Sequence, residues 1–267
     1  GKKAESLVPA MLDDPSPELR REAVSRLIDA AKGLEDEGNK EGATTVYSKA
    51  LSGAVEDDQV KAIVAPLKKL GTKVDLPRHF GFLTQWSIVG PFDNRDRVGF
   101  AAVYPPEKSV DLKASYKGQL GDVKWAPIST GDDYGLVDIA KKIKNYKGST
   151  MYATADFFSD RKQTVEIRIG TPNSWKLWVN GKLKFAREEY HRGMKLDQYK
   201  VQAIELEPGR NAILFKICQN EQTDSWAQRY QFQIRVCDTT GTAILSDDKL
   251  RTSLREQPTS KRRLAVK

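Results

Sequence analysis

Two textures of apolar and polar residues divide the chain. In the first, Leu19, Ala23, Val24, Leu27, Ile28 and Ala31 recur at three- to five-residue spacing, as one buried face of a helix requires. Asp14-Pro15-Ser16-Pro17-Glu18 precedes them as a start signal. Ser16 can cap, and Pro17 costs nothing at the first helical position, where its missing N–H would be unpaired anyway. Ala43, Val46, Tyr47, Ala50, Leu51 and Ala54 repeat the spacing, and Val60, Ile63, Val64, Leu67 and Leu70 repeat it again. Pro66 falls inside that third run and is expected to kink or split its helix. Stacked helical hairpins are predicted up to Gly71.

From Leu76-Pro77 onward the texture becomes short runs that alternate apolar and polar residues. Thr164 to Ile169 points Val165, Ile167 and Ile169 one way and Glu166 and Arg168 the other, which predicts a half-buried strand. Trp175 to Val179 and Lys182 to Ala186 flank Asn180-Gly181, a strong hairpin signal because both central residues of a type I′ turn need positive φ. Val201 to Leu206 and Ala212 to Cys218 flank a second tight turn, Glu207-Pro208-Gly209-Arg210-Asn211, and Tyr230 to Cys237 and Thr242 to Leu245 flank Thr239-Thr240-Gly241. Trp86 to Val89, Val123 to Ile128 and Met151 to Phe158 bring the total to at least eight strands. No crossover of helical length separates the later strands, so the sheets are expected to be antiparallel and to form a sandwich. The fold class is therefore α+β and multidomain. A helical module over 1–76 precedes a β-sandwich over 77–250, and a basic tail follows over 251–267.

The composition fits an ordinary folded protein: 267 residues, 39% hydrophobic and 30% charged. Apolar runs stop far short of the roughly 18 residues of a membrane-spanning helix, so membrane insertion is not expected. The formal net charge of +8 raises nucleic acid as a partner, and the distribution of charge lowers it again. The helical segment holds 12 basic and 14 acidic residues, the strand-rich segment 26 and 21, and the last seventeen residues 6 and 1. More than half of the excess thus sits in a tail, and nucleic-acid binding is not expected. Cys218 and Cys237 end two strand-like runs with no C-x-x-C and no nearby histidine, so both are read as free thiols filling packing positions.

The strings WKLWVNGKLKF, ELEPGRNAILFKI and WAQRYQFQIRV resemble the galactose-binding-like jelly roll, the sandwich of many carbohydrate-binding modules. The residues that carry the resemblance are Trp178, Val179, Asn180 and Gly181, then Leu206, Gly209, Asn211 and Leu214, within a stretch from Met151 to Leu245. The segment LVPAMLDDPSPELRREAVSRLIDAA resembles a HEAT-type helical repeat, and TTVYSKALSGA looks like the second helix of a tetratricopeptide unit. WSIVGPFDN together with YPPE also resembles large exported bacterial proteins that join such a jelly roll to helical repeats. The resemblance implies an exported protein, periplasmic or extracellular, whose signal peptide is not part of these residues; a cytoplasmic location stays open. It also implies other domains of a larger polypeptide as partners. Oligomeric state is not legible.

Catalytic signals are missing. His79 and His191, the two histidines, fall in unrelated segments, and no metalloprotease, nucleophile-elbow or phosphate-loop motif occurs. The adjacent acids Asp57-Asp58, Asp132-Asp133, Glu188-Glu189 and Asp247-Asp248 are next neighbours rather than carboxylates facing across a cleft, as glycoside hydrolysis requires. The chain is therefore not expected to be an enzyme, with a glycosidase kept as an alternative. Asp93, Asn94 and Asp96 place three oxygen side chains within four residues. Such a group suits a structural calcium ion or, equally, an Asx turn. No other cofactor is expected.

Sugar binding needs an aromatic face for the apolar side of the ring and amides, carboxylates or guanidinium groups for its hydroxyls. Two loops supply both. One contains Tyr190, His191, Arg192 and Asp197; the other contains Gln219, Asn220 and Trp226. Hairpin loops of a jelly roll can converge at one end, so these residues form the candidate site. Trp175 and Trp178 fall on opposite strand faces, so one belongs to the core and the other to an interface or a stacking platform. The expected function is non-catalytic binding of a polysaccharide or glycan. The alternative is a protein–protein interaction or scaffold fragment.

Overall fold

The computed structural model describes residues 11–256 and shows two compact units. One takes in the chain up to Phe80 together with Thr239–Thr242, and the other begins at Gly81. The tail predicted over 251–267 lies outside the described residues from 257 on, and residues 251–256 belong to a helix, Asp248–Glu256. No helix among the described residues is long and apolar enough to cross a membrane.

The first unit is built on α1 (Pro17–Asp36), α2 (Lys40–Gly53) and α3 (Asp57–Lys69). Ser16 Oγ accepts the Leu19 N–H at 3.4 Å, and Asn39 Oδ1 accepts that of Gly42 at 2.9 Å, each satisfying an end donor that the helix itself cannot pair. Ala23, Val24, Ile28 and Ala31 of α1 pack with Ala43, Tyr47 and Ala50 of α2 and Val60, Ile63 and Leu67 of α3 in the buried interior. Leu19, expected on that face, is exposed. Pro66 does not split α3. It falls in the last turn, so the helix loses a single ladder bond while Leu67 stays buried. Arg20 is buried at the opposite extreme of polarity, its guanidinium donating to Gly53 O and Thr240 Oγ1, both at 2.9 Å.

The second unit is an antiparallel β-sandwich. Its strands are β1 (Gln85–Asp93), β2 (Ser115–Gly118), β3 (Gly121–Lys124), β4 (Ala126–Ser129), β5 (Val137–Asp138), β6 (Ser149–Ser159), β7 (Gln163–Gly170), β8 (Ser174–Val179), β9 (Lys182–Arg187), β10 (Tyr199–Leu206), β11 (Gly209–Gln219) and β12 (Gln231–Cys237). One sheet runs β4-β1-β6-β11-β8-β9, the other β10-β7-β12-β5. Alternate residues of both sheets meet between them: Ile88, Ala153, Trp175, Leu177, Phe215 and Ile217 from one, Val165, Ile167, Ile204, Phe232 and Ile234 from the other. β8 and β9 turn at Asn180-Gly181, whose φ values of 52° and 74° are those of a type I′ turn.

Thr242 to Leu245, expected as a strand, forms only a bridge from Ala243 to Cys237, and Val123 to Ile128 is divided between β3 and β4, which belong to different sheets. Three further expectations change. Val201–Leu206 and Ala212–Cys218 do not pair as a hairpin, because β10 adds to β7 while β11 adds to β6 and β8. The turn between them carries the chain from one sheet to the other and is clamped by Asn211, which accepts the Glu207 N–H at 2.9 Å and donates to Glu207 O at 2.8 Å. Glu166 and Arg168 alternate as predicted, yet both are buried. Arg168 reaches Glu166 at 2.9 Å and Asp197 at 2.8 Å, so their charges are neutralised within the protein instead of by water. Trp175 and Trp178 lie on opposite faces and both are buried. Trp178 is covered because Tyr104, Val110, Tyr116, Val123 and Trp125, from the stretch between β1 and β4, fold over the outside of the larger sheet against Val89, Phe92, Tyr152, Trp178 and Leu214. Cys218 and Cys237 are free and buried, and burial pushes both thiols up to about 11.

Candidate functional site

The strand order brings three chain segments to one end of the sandwich. β1 ends at Asp93 and β11 at Gln219, both paired with Ser149 of β6, while β9 ends at Arg187 opposite Trp175 of β8. The residues that follow each of these ends, in the 90s, the 190s and the 220s, therefore emerge together. Asn94 fastens them. Fully buried, its amide donates to Gln219 O at 2.9 Å and to the Tyr190 hydroxyl at 3.2 Å. A second tie runs from the Asp96 N–H to Glu221 Oε2 at 2.9 Å.

Between these segments lies a cavity of about 590 Å³, within the range of small-molecule sites. Arg97, Glu188, Glu189, Tyr190, His191, Asn220, Gln222 and Trp226 line it. Trp226 stands in a 3-10 turn, Ser225–Ala227, with 59% of its surface exposed. The His191 ring meets it edge-on, centroids 5.1 Å apart at 87°, an arrangement aromatic quadrupoles favour. Gln228 braces that turn by donating to Thr223 O at 2.6 Å and Asp224 O at 2.7 Å.

The polar groups have fixed roles. Asn220 Oδ1 accepts the Gln222 N–H at 3.2 Å, which sets the orientation of the amide, and it also contacts His191 Nε2 at 2.6 Å. Nε2 must then be the donor. Asn220 Nδ2 donates in turn to Gln222 Oε1 at 2.9 Å. The Arg97 guanidinium lies 5.5 Å from the Tyr190 ring centre, and burial pushes the Tyr190 phenol up to about 12, so Tyr190 stays a neutral wall. Glu189 is held by Arg187 at 3.0 Å and Arg192 at 2.8 Å. The cavity can thus present an aromatic face beside guanidinium, amide, imidazole and carboxylate groups.

Of the residues expected from sequence, Tyr190, His191, Asn220 and Trp226 share this cavity. Arg192 stands behind it through Glu189. Gln219 is wholly buried and braces its own loop, donating to Ala227 O at 3.2 Å and Arg229 O at 3.1 Å. Asp197 is not among the lining residues. It bridges Arg168 and Arg235, with N–O distances of 2.8 and 2.5 Å. Burial pushes its carboxyl up, but bonding to the two guanidinium groups outweighs this and holds it below the ordinary 3.8.

Asp93 binds Arg95 through both carboxylate oxygens at 2.8 Å, and that hydrogen bonding lowers its pKa to about 2. Asn94 Oδ1 is buried without a hydrogen-bond partner, and Asp96 sits at φ 53°. Among the described residues no group of three or more His, Cys, Asp and Glu side chains is placed to hold a metal ion.

Arg97 was not singled out in the sequence; Glu188 was weighed there only as half of an adjacent carboxylate pair, and Gln222 only as a polar group of its loop. The D-N-R-D-R run after a strand was the available signal for Arg97; its acids drew notice and its arginines did not.

No family model matches the chain, and no curated protein matches it. Among solved structures it is similar to a β-glucosidase from Kluyveromyces marxianus in complex with glucose, at 10% identity over 64% of this chain and 18% of that one, TM-score 0.34. It is similar to the PA14 domain of the antifreeze protein MpAFP at 14% identity over 64% of this chain and 89% of that one, TM-score 0.33. A family 35 carbohydrate-binding module from Clostridium thermocellum shares 16% identity over 34% of this chain and 78% of that one, TM-score 0.23. The match thus spans under a fifth of the β-glucosidase chain.

Proposed function

We propose that the sandwich is a non-catalytic binding module that takes a carbohydrate at its loop end. The observation that carries this reading is Trp226, more than half exposed and set edge-on to His191, within reach of the amides and guanidinium of the same cavity. An exposed indole is costly to leave against water and well matched to the apolar face of a pyranose, while Arg97, Asn220, Gln222 and Glu188 offer donors and acceptors to ring hydroxyls. A glycan array followed by calorimetry tests the reading. A saccharide should bind, and Trp226→Ala should weaken it at least about tenfold, the effect of losing a central aromatic contact. Absence of saccharide binding in both assays, or unchanged affinity in the variant, overturns it.

One observation favours a protein-docking rival. β9 is an edge strand, and its Leu183 and Phe185 are 53% and 43% exposed. If Leu183→Asp with Phe185→Lys abolished a pulled-down complex while saccharide binding was nil, the rival would replace the carbohydrate reading.

A further inference from the structure

Beside the cavity with Trp226 lies a second, of about 290 Å³, lined by Asp96, Arg97, Asn220, Glu221 and Gln222. The two share Arg97, Asn220 and Gln222 as a common wall. Their chemistry differs. Each has two carboxylates, Glu188 and Glu189 in the first and Asp96 and Glu221 in the second, but the first adds an indole, a phenol and an imidazole and the second has no aromatic side chain. A pyranose presents an apolar face and a polar edge, so the first cavity suits a ring held by stacking and the second a ring held by its hydroxyls alone.

We infer that the ligand is a neutral saccharide of at least two units, the first stacked on Trp226 and the next bonded through its hydroxyls to Asp96 and Glu221. This rests on the carbohydrate reading of the site and deepens it. Arg97 is the residue that joins the two subsites. It forms no ion pair among the described residues and packs its guanidinium toward Tyr190, leaving a fork of N–H donors for hydroxyls on either side. Asp96 and Arg97 both adopt left-handed backbone, φ 53° and 62°, and Glu221 Oε2 holds the Asp96 N–H at 2.9 Å. The second subsite is therefore built on a fixed turn. Arg95 also feels the Asp96 and Glu221 carboxylates but is bonded to Asp93, so an acidic second unit would meet three carboxylates against two guanidinium groups, which selects for a neutral one.

The test is calorimetric titration of the full chain with D-glucose, D-galactose, D-mannose and D-xylose, and with the β-1,4-linked dimer and trimer of each. The dimer of the preferred sugar should bind at least about tenfold tighter than the monomer. Asp96→Asn combined with Glu221→Gln keeps side-chain shape and the acceptor for the Asp96 N–H. It should bring the dimer to within about twofold of the monomer, the dimer losing at least about fivefold more affinity than the monomer. Trp226→Ala should weaken both. Equal affinity for monomer and dimer, a dimer advantage that survives the double variant, or equal losses for monomer and dimer each overturn the two-subsite assignment. Failure of every sugar to bind overturns the carbohydrate reading itself.

Discussion

The two faces of β11 are both buried and are built on opposite principles. Ile213, Phe215 and Ile217 point between the sheets into an interior that is apolar on every side. Leu214 and Lys216 point outward, where Lys216 is fully buried and donates to Phe100 O at 3.1 Å, Ala102 O at 2.7 Å and Glu107 at 2.7 Å. Tyr152 donates to the same Glu107 carboxylate. Burial pushes the Lys216 ammonium below the ordinary lysine value, and the hydrogen bond to Glu107 works against that. The inner face is held by area removed from water, which any well-shaped apolar side chain supplies. The outer face is held by a polar post on which the segment after β1 hangs, and a post of this kind tolerates neither partner alone. That segment also carries Asn94 and Arg97, so the site inherits its position from the outer face.

Substitutions separate the two principles by size and by coupling. Phe215→Ala should cost about 3–5 kcal/mol in denaturant unfolding, with no single second substitution restoring it. Lys216→Met should cost about 3 kcal/mol because Glu107 is left as an uncompensated buried charge; adding Glu107→Leu should return at least part of the loss. If the double variant were as unstable as the sum of the singles, the outer face would be no different in kind from the inner one. A smaller effect follows from Asp197. Its folded pKa lies below 3.8, so the unfolded chain takes up the proton first as the medium acidifies. The stabilisation present above that value is then lost as pH falls through the lowered one. Asp197→Asn should flatten the acid limb of an unfolding-against-pH curve, and an unchanged slope would sink that assignment. Smallest of all, Trp226→Ala should shift stability by no more than about 0.5 kcal/mol, being a surface change, while weakening saccharide affinity at least about tenfold.

The inner face was legible because period-two alternation is a local property: Val165, Ile167 and Ile169 announce it within six residues, and Asn180-Gly181 announces its turn. The outer face was not. Tyr104, Tyr116 and Trp125 follow no period, and Lys216 reads as a solvent-facing residue until a segment more than a hundred positions away covers it. Four of the seven expected site residues line one cavity and three do not, for a related reason. Residue type indicates what can bind a sugar, as with Tyr190, His191, Asn220 and Trp226. The same types also brace loops from within, as Gln219 and Asp197 do, and only the register of β11 and the ion pairs around Arg235 tell the two uses apart.

Asn94 joins stretches separated by 96 and 125 positions in sequence. In thermodynamic terms the loop end is a conformation that the unfolded chain lacks, since its parts are brought together by the paired strands. A ligand there binds the native state alone and must raise the free energy of unfolding with its concentration, by about 2.7 kcal/mol at a hundredfold excess over Kd. The melting temperature of the sandwich is thus itself a gauge of occupancy, readable without any label or catalytic turnover.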